Sequence, residues 1–315
     1  MAEKLERVLV TGANGHLGLQ LLARLAELGE ETPAVRAVVR SKRAAAQVDA
    51  LAETLRPELA VLDYADPAAL AKAAAGCSHA VHLVGIIKES ATTRYEEAHE
   101  ATCRALAAAA AAAGLRRIVY LSIFGADPAA KNPCLASKGR AEEILLAGRV
   151  ATTILRLPMV LGPDDFASRS LRGQAKARLL PMIAGGTTLQ QPIDSADLVA
   201  AVLACLRADD TKSLDDVVLE LGGPESLSHR ELVARAARLY GDTPRVLPVP
   251  LGLARALAVL AARLSGSPPL TPAMLEVLQH DDDIDPGPAL ARLGIALTPL
   301  DDTLRRYVGP QSDTQ

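Results

Sequence analysis

Three glycines at three-residue spacing near the start of the chain constrain its fold most. Residues 8–10 form a short apolar run, Gly12, Gly15 and Gly18 follow it, and an amphipathic helical pattern begins directly afterwards. This order predicts a strand, a tight turn and the N-terminus of a helix. Glycines in such a turn let the backbone approach a diphosphate closely, and the first N–H groups of the helix stabilise its negative charge. The segment therefore predicts a dinucleotide-binding site.

The turn itself supplies six of the fifteen residues that are expected to contact a dinucleotide. The residues concerned are Gly12, Asn14, Gly15, His16, Leu17 and Gly18. Spaced glycines alone are a weak signal, but these follow a strand and open a helix, which is the context that the motif requires. The alternative is an ordinary strand–helix turn with spare glycines.

A cluster of cations follows the second predicted strand, about twenty residues after the turn, where a site for NAD usually presents Asp or Glu to the ribose hydroxyls. This chain has Arg40, Lys42 and Arg43 instead. A carboxylate would repel a 2′-phosphate, whereas guanidinium groups bind it through charge-assisted hydrogen bonds. The sequence therefore favours NADP over NAD, with Arg40 and Arg43 at the phosphate. The alternative is a basic, solvated loop at the start of a helix.

Further contacts with the cofactor are expected where the next two strands end. Asp63 and Tyr64 follow the third predicted strand, and Val84 and Gly85 follow the fourth. Asp63 is expected to accept a hydrogen bond from the adenine amino group, with a purely turn-forming aspartate as the alternative. Val84 and Gly85 are expected to pass beneath the adenosine half.

Apolar runs alternate with helical patterns through the first half of the chain. The predicted strands are 8–10, 35–39, 59–62, 80–83, 118–122 and 152–155, and the predicted helices are 17–28, 44–55, 67–75, 95–113 and 137–146. Strands that are apolar on both faces and separated by helices indicate a parallel sheet covered on both sides. The expected fold class is α/β, a doubly wound parallel sheet of Rossmann type with its ligand at the carboxyl ends of the strands.

The alternation ends near Gly162, and mostly helical patterns follow. We predict a dinucleotide-binding domain over 1–162 and a smaller, mostly helical lobe over 163–315 for substrate or partner, with some elements returning to the first domain. A helix is predicted over 195–207 and a strand over 217–221. Ser228 begins a capping box, and Thr271 and Thr298 are each expected to cap a helix that starts with the following proline.

Two charged stretches in the second half have alternative interpretations. The acidic residues 281–285 suggest a hard cation, but they lack the spacing and glycine of a calcium loop, so a solvated linker is favoured and no metal is expected. The basic residues between Arg169 and Arg178 are expected to face water, a phosphorylated substrate or an acidic partner.

Composition excludes several classes of function. A net charge of −3, 2% aromatic residues and no Trp argue against nucleic-acid binding. No uncharged run reaches the roughly 18–20 residues of a membrane helix. Four cysteines lie far apart, without the close pairs of a zinc site or a disulfide framework. Together with a charged N-terminus that does not look like a secretory signal, this favours a cytoplasmic protein.

Several motifs together are similar to those of a known superfamily. They are residues 11–18, 61–63, 81–85, 119–127, 137–138, 154–158, 162–163, 194–198 and 221–225. On these motifs the chain resembles the extended and atypical short-chain dehydrogenases/reductases. Within that superfamily it is most similar to the branch containing the NAD(P)H-binding accessory subunit of respiratory complex I and its bacterial relatives. The resemblance covers essentially the whole chain. It implies that Asp194 and Asp197 belong to a turn that starts a late helix, where they cap and dock rather than act in catalysis.

The resemblance implies catalytic positions that this chain fills only in part. The superfamily uses a tyrosine and a lysine spaced Y-x-x-x-K with a nearby hydroxyl, and the lysine lowers the phenol pKa and holds the nicotinamide ribose. Lys138 matches the lysine, but Cys134 stands at the tyrosine, and Phe124 stands at the hydroxyl position two residues after Ser122. Lys138, Cys134 and Ser122 are the candidate catalytic residues. Ser122, Lys138 and Pro158 are also candidate cofactor contacts.

Three interpretations of Cys134 stay open at this point. It is a substitution in a protein that only holds its cofactor, a reactive thiol activated by Lys138, or a bystander to another acid–base group. Tyr95, His99 and Tyr120 are the reserves for that last role, although each also suits a structural one. The expected function is an NADP(H)-preferring reductase of undefined substrate. The alternative is a catalytically inactive, NADPH-binding structural or assembly subunit or redox sensor.

Overall fold

The structure, a computed structural model, describes residues 6–50, 56–90, 92–208, 214–241, 243–264 and 270–310. The chain folds as two compact units, neither of which is a single continuous segment. The first comprises residues 1–156, 198–219 and 288–295, and the second comprises 157–197, 220–287 and 296–315. In the described part, elements from the second half of the sequence therefore complete the first unit.

The strands are, in chain order, β1 (Arg7–Thr11), β2 (Ala34–Val39), β3 (Glu58–Val61), β4 (His79–His82), β5 (Arg117–Ile123), β6 (Ala151–Leu157), β7 (Val160–Leu161), β8 (Leu179–Ile183), β9 (Leu189–Gln190), β10 (Ile193–Asp194), β11 (Val217–Glu220), β12 (Leu227–Ser228) and β13 (Arg245–Val249). The helices are α1 (His16–Ala26), α2 (Lys42–Asp49), α3 (Pro67–Ala74), α4 (Thr102–Ala113), α5 (Pro133–Leu146), α6 (Phe166–Ala175), α7 (Ser195–Arg207), α8 (His229–Arg238), α9 (Leu251–Leu264), α10 (Pro272–Leu278), α11 (Gly287–Leu293) and α12 (Leu300–Tyr307).

A seven-stranded sheet forms the centre of the fold, in the order β3-β2-β1-β4-β5-β6-β11. The neighbours from β3 to β5 pair in parallel. Val8, Leu9 and Val10 on β1 are completely buried, as is expected for a central strand covered by helices on both faces. The predicted doubly wound α/β fold with a helical C-terminal region is confirmed.

Helix boundaries differ from the predicted ones where a capping signal was missed. Helix α5 begins at Pro133, four residues before the predicted start, because Asn132 accepts hydrogen bonds from the Cys134 and Leu135 N–H groups. A π-helical turn over Glu96–Ala101 precedes α4 within the predicted helix. Helix α2 ends at Asp49, and the last five residues of its predicted span, 51–55, lie outside the described residues.

The second unit contains α6, α8, α12 and the parallel pair β8–β13. Asp194 accepts hydrogen bonds from the Thr303 and Tyr307 hydroxyls, at 2.9 and 3.1 Å, which hold α12 in place. The Thr298 cap was a wrong prediction. Helix α12 begins at Leu300, and the Thr298 N–H and hydroxyl donate to the Asp197 carboxylate instead, at 2.6 and 2.8 Å. The role that was expected of Asp194 is seen at the start of α7, where its carboxylate accepts a hydrogen bond from the Ala196 N–H at 2.8 Å.

The acidic stretch is more ordered than a solvated linker. The Asp281 carboxylate accepts a hydrogen bond from the Leu189 N–H at 2.7 Å, and the Ile284 N–H donates to the Gln191 side chain at 2.7 Å. The prediction of a solvated linker was therefore wrong, because these residues form hydrogen bonds with the β9 region.

The other predicted helix caps are confirmed, with Ser228 and Thr271 accepting hydrogen bonds from the Glu231 and Met274 N–H groups.

Candidate nucleotide site

The glycine turn joins β1 to α1 in the way that the sequence indicates. Gly12 adopts a left-handed φ of +74°, and a Cβ atom there would lie 3.2 Å from the Leu83 carbonyl carbon. A Cβ atom on Gly18 would lie 2.5 Å from the Ala13 carbonyl oxygen. Both positions therefore exclude other side chains, Gly12 for its conformation and Gly18 because the helix packs directly on the turn.

Gly15 occupies the N-cap of α1, and no side chain caps this helix. The first N–H groups of a helix have no acceptor within the helix, and the helix dipole adds partial positive charge to them. His16 is exposed and Leu17 half-buried at this end, and the Asn14 side chain donates to Gln47 at 3.2 Å. The turn thus offers uncapped donors suited to an anion.

The ends of β1 and β4 meet where the strand order of the sheet reverses. The Leu83 N–H donates to the Thr11 carbonyl at 3.1 Å, so the segment of Val84 and Gly85 follows directly beside the glycine turn. In doubly wound sheets ligands bind at this switch point, at the carboxyl ends of the strands. A Cβ atom on Gly85 would lie 3.1 Å from the Lys138 Nζ. The fold therefore brings Gly12, Gly85 and Lys138 to one edge.

Tyr64 connects the glycine turn to the cations after β2. Its hydroxyl donates to the Val38 carbonyl at 3.2 Å and accepts from the Gly12 N–H. The Arg40 guanidinium lies 5.8 Å from the centre of the Tyr64 ring, within the range of a cation–π contact. Burial raises the pKa of Tyr64, so this hydroxyl stays protonated at neutral pH. Its hydrogen bonds fix the backbone of the turn.

Arg40, Lys42 and Arg43 are exposed, and within the described ranges none of them forms an ion pair with a carboxylate. Lys42 and Arg43 stand in the first turn of α2, which Ser41 caps. Cations at the N-terminus of a helix oppose its dipole, so the arrangement is unfavourable until an anion is bound. Asp63 accepts a hydrogen bond from the Ala65 N–H at 3.0 Å, which favours the turn-forming alternative for that oxygen.

Lys138 is buried on α5, and its Nζ donates to the Tyr120 hydroxyl and the Leu121 carbonyl, each at 2.9 Å. The same Nζ lies 4.5 Å from the centre of the Tyr120 ring. Burial lowers the pKa of Lys138 and raises that of Tyr120 well above its usual value. The phenol beside this lysine is thus a completely buried strand residue, and its hydrogen bonds position the amine.

Cys134 is also buried, with its Sγ 3.8 Å from the Ile86 carbonyl oxygen. Burial raises the pKa of this thiol to about 11, although Lys138 and a hydrogen bond with Tyr95 both favour the thiolate. Cys134 is therefore a protonated thiol at neutral pH, which disfavours the interpretation as an activated nucleophile. The Tyr95 hydroxyl donates to the Ile87 carbonyl at 2.7 Å.

A buried polar chain behind the site was not predicted. His82 joins the Thr11 hydroxyl, 2.6 Å from its Nδ1, to the Thr102 hydroxyl, 3.3 Å from its Nε2. His99 Nε2 lies 3.1 Å from the Ile86 backbone nitrogen. The sequence did contain a signal for this network, because Thr11 and His82 stand among apolar residues in two central strands. A polar side chain buried in such a strand needs a hydrogen-bond partner.

Ser122, at the end of β5, is 6% exposed, and its hydroxyl has no hydrogen-bond partner among the described residues. A buried hydroxyl of this kind is a position where a bound group satisfies a polar atom. Pro158 follows β6 and belongs to the second unit. The first unit therefore gathers the predicted cofactor residues of the turn, the strand ends and α5, and Pro158 is the exception.

The buried histidines predict acid sensitivity. Burial lowers the pKa of His82 and of His99 to about 3, so the unfolded chain binds protons at these positions before the folded protein does. Their contribution to stability is complete above about pH 6.5 and is lost as the pH falls toward 3. We expect urea denaturation to show the free energy of unfolding falling by up to about 1.4 kcal/mol per pH unit per histidine.

The matched test uses one buried and one exposed histidine. The variant His82→Asn should show a shallower pH dependence below pH 6.5, whereas His16→Asn, at an exposed position, should keep the slope of the original protein. Identical slopes in all three proteins would contradict a neutral, buried His82.

A parallel sheet with a glycine turn at its switch point is the architecture of Rossmann-type dinucleotide-binding proteins. The chain belongs to the family described as NAD(P)H-binding, whose model matches residues 12–209. It carries an NAD(P)H-binding, reductase-like domain, and the predicted similarity to the complex I branch is confirmed by its relatives.

Two curated relatives illustrate the family. Subunit 9 of the mitochondrial NADH dehydrogenase [ubiquinone] 1 alpha subcomplex of Arabidopsis thaliana is 29% identical over 79% of this chain. The ceramide reductase of Caulobacter vibrioides is 30% identical over 77% of this chain and 73% of its own length. This chain spans 61% of the Arabidopsis subunit.

Solved structures share the fold over nearly the whole chain. The triphenylmethane reductase of Citrobacter sp. matches 96% of this chain and 99% of its own, with a TM-score of 0.72 and 19% identity. MoeE5 in complex with UDP-glucuronic acid and NAD matches 96% and 97%, with a TM-score of 0.69 and 22% identity. At these identities the likeness concerns the fold.

Proposed function

We propose that this protein binds NADPH in preference to NADH and uses it as a reductase. The observation that carries the proposal is the cluster of Arg40, Lys42 and Arg43 at the carboxyl end of β2, exposed and without carboxylate partners among the described residues. A 2′-phosphate would supply the anion that these cations and the N-terminus of α2 lack. Arg40, placed by its contact with Tyr64, and Arg43 are the residues assigned to it.

The remaining residues fit the other parts of the dinucleotide. The uncapped N-terminus of α1 suits the diphosphate, and the segment of Val84 and Gly85 suits the adenosine half. Lys138 and the unpartnered hydroxyl of Ser122 suit the nicotinamide ribose end. When bound, the cofactor would supply a hydride. The second unit is assigned to the substrate or protein partner.

Cofactor preference is tested by fluorescence titration of the purified protein with NADPH and NADH. We expect Arg40→Ala and Arg43→Ala each to weaken NADPH binding about 10- to 100-fold, since each removes a charge-assisted hydrogen bond of about 1.5–3 kcal/mol. NADH affinity should change by less than about threefold. Lys72→Ala, at an exposed cation of α3, is the control. Equal affinity for both nucleotides, unaffected by the arginine changes, would refute the preference.

A second function is favoured by the chemistry at Cys134. Neither this thiol, with its pKa near 11, nor Phe124 provides the lysine-activated hydroxyl of the superfamily pattern. Without such a group the protein would hold NADPH as a structural subunit or sensor. The two functions are separated by incubating the NADPH-loaded protein with carbonyl compounds, ceramide-type ketones among them. Hydride appearing in a product supports the reductase, whereas tight binding without oxidation of NADPH supports the holding function.

A further inference from the structure

Helix α9 exposes an apolar face in the second unit. Leu253, Leu257 and Leu260 are 51%, 54% and 53% exposed, and their spacing of four and three residues places them on one stripe of the helix. Val259 is 41% exposed beside them. An adjacent face, about 100° around the helix from this stripe, is already packed, since Ala254 and Ala258 are buried. Helix α9 thus exposes a leucine stripe in addition to its buried face, with the exposed Arg255 and Arg263 elsewhere on its circumference. Such a stripe indicates an apolar environment beyond the protein.

The β8–β13 pair, whose second strand leads into α9, also exposes apolar side chains. In β8–β13, Leu179 pairs with Arg245 and Pro181 pairs with Leu247, so these four side chains share one face of the ribbon. All four residues are exposed. Strand β13 runs through Pro250 directly into α9, and α10, which packs on α9, exposes Leu278 at 45%. We call α9, the outward face of β8–β13 and Leu278 the apolar surface.

The segments that form and flank this surface are basic, although one of their cations, Arg172, lies 3.7 Å from the Asp164 carboxylate. Residues 166–193 and 243–275 contain no Asp or Glu and seven cations, although the whole chain has a net charge of −3. The cations are Arg169, Arg172, Lys176, Arg178, Arg245, Arg255 and Arg263. The Arg245 N–H donates to the Arg178 carbonyl at 3.0 Å, which places both residues at the same end of the ribbon. Neither guanidinium meets a carboxylate within the described ranges.

We propose that the apolar surface docks on the surface of an anionic lipid bilayer. The leucines of α9 would enter the boundary between head groups and acyl chains, and Arg178 and Arg245 would meet lipid phosphates. Helix α9 has 14 residues and a length of about 21 Å, shorter than the hydrocarbon core, so it would lie in the plane of the membrane. None of the described helices is long and apolar enough to cross a bilayer.

A second copy of the chain suits this surface less well. The two segments supply seven cations, and α10, which contributes Leu278 to the surface, adds one carboxylate, Glu276. Two such faces are therefore both basic and would repel each other. An anionic membrane provides both the apolar phase and the opposite charge. The proposal does not depend on the nucleotide site, which lies in the first unit.

The test is sedimentation of the full-length protein with vesicles of phosphatidylcholine, with and without about one third phosphatidylglycerol. We expect at least about tenfold stronger binding to the anionic vesicles, weakening as salt rises. The triple variant L253Q/L257Q/L260Q should lose at least about tenfold of that binding. R178Q/R245Q should lose most of the preference for anionic vesicles. V61Q, at an exposed position of β3 in the first unit, is the matched control.

Folding is checked through the thermal midpoint and the NADPH affinity, which the triple variant should leave unchanged because its leucines are exposed. If the triple variant does not fold, R178Q/R245Q decides the question alone. Absence of binding to either vesicle, or binding equal for both and insensitive to salt, would overturn the proposal. A concentration-dependent dimer of the original protein, abolished in the triple variant and without vesicle binding, would assign the surface to a second copy.

Discussion

Replacing Gly15 with aspartate is expected to weaken NADPH binding at least 100-fold while making the protein slightly more stable. Gly15 caps α1 with φ −71° and ψ 163°, a conformation open to any residue. Among the described residues, only the Gly12 carbonyl oxygen, at 3.3 Å, lies near a Cβ at this position. Aspartate is a better N-cap than glycine, by a few tenths of a kcal/mol. Its carboxylate would, however, repel a diphosphate at the same helix end by about 4 kcal/mol at 4 Å.

The experiment is specific because protein stability and NADPH affinity are expected to change in opposite directions. Stability is measured by urea denaturation and affinity by fluorescence titration with NADPH. Gly15→Asn is the matched control, because asparagine caps the helix without adding charge, so it should retain most of the affinity. Undiminished NADPH affinity in Gly15→Asp would place the diphosphate elsewhere and remove the basis of the proposed function.

Replacing Gly139 with alanine is expected to destabilise the protein by about 3 kcal/mol. Gly139 follows Lys138 on α5, and a Cβ there would lie 2.3 Å from the Pro128 nitrogen and 2.4 Å from the Asp127 carbonyl carbon. Both are backbone atoms, so either the helix or the preceding loop must move. The same helix positions Lys138, and NADPH affinity should therefore fall together with the free energy of unfolding.

A second glycine provides the control, because its replacement by alanine is expected to raise the free energy of unfolding instead of lowering it. Gly173 lies in α6, and no described atom is within 4 Å of its Cβ position. Gly173→Ala should therefore stabilise the protein by about 0.4–1 kcal/mol through the higher helix propensity of alanine. Denaturation midpoints of the two variants are compared with that of the original protein. A neutral Gly139→Ala would show that the loop before α5 yields without cost.

Sequence patterns were sufficient for elements whose causes are local. The strand at residues 8–10 and the helix over 195–207 follow from apolar periodicity, and the caps at Ser228 and Thr271 follow from side chains next to the backbone they bond. Thr298 has the same local signal as Thr271, but its hydroxyl bonds to Asp197, a residue about a hundred positions away in the sequence. Thr298 therefore donates to a distant carboxylate instead of capping the helix, and no local sequence pattern indicates such a contact.

The features of the candidate site also fall into those that the sequence could predict and those that it could not. The glycine turn and the cations after β2 could be predicted because both are contiguous in sequence and their chemistry is electrostatic. The protonation state of the Cys134 thiol could not be predicted. Its neighbour Lys138 suggested a thiolate, whereas burial raises the pKa of the thiol to about 11. Burial depends on elements packed from elsewhere in the chain, so it is absent from the local sequence.

By itself the sequence determined the α/β class, the diphosphate-type turn and the basic position after β2, because backbone freedom, periodicity and charge are properties of neighbouring residues. Only the tertiary structure decided which phenol meets Lys138, that His82 and His99 are buried in neutral form, and that the leucines of α9 face outward. Each of these depends on which distant atoms exclude water from a group. Solvent exclusion is a property of the packed chain and not of any segment of it.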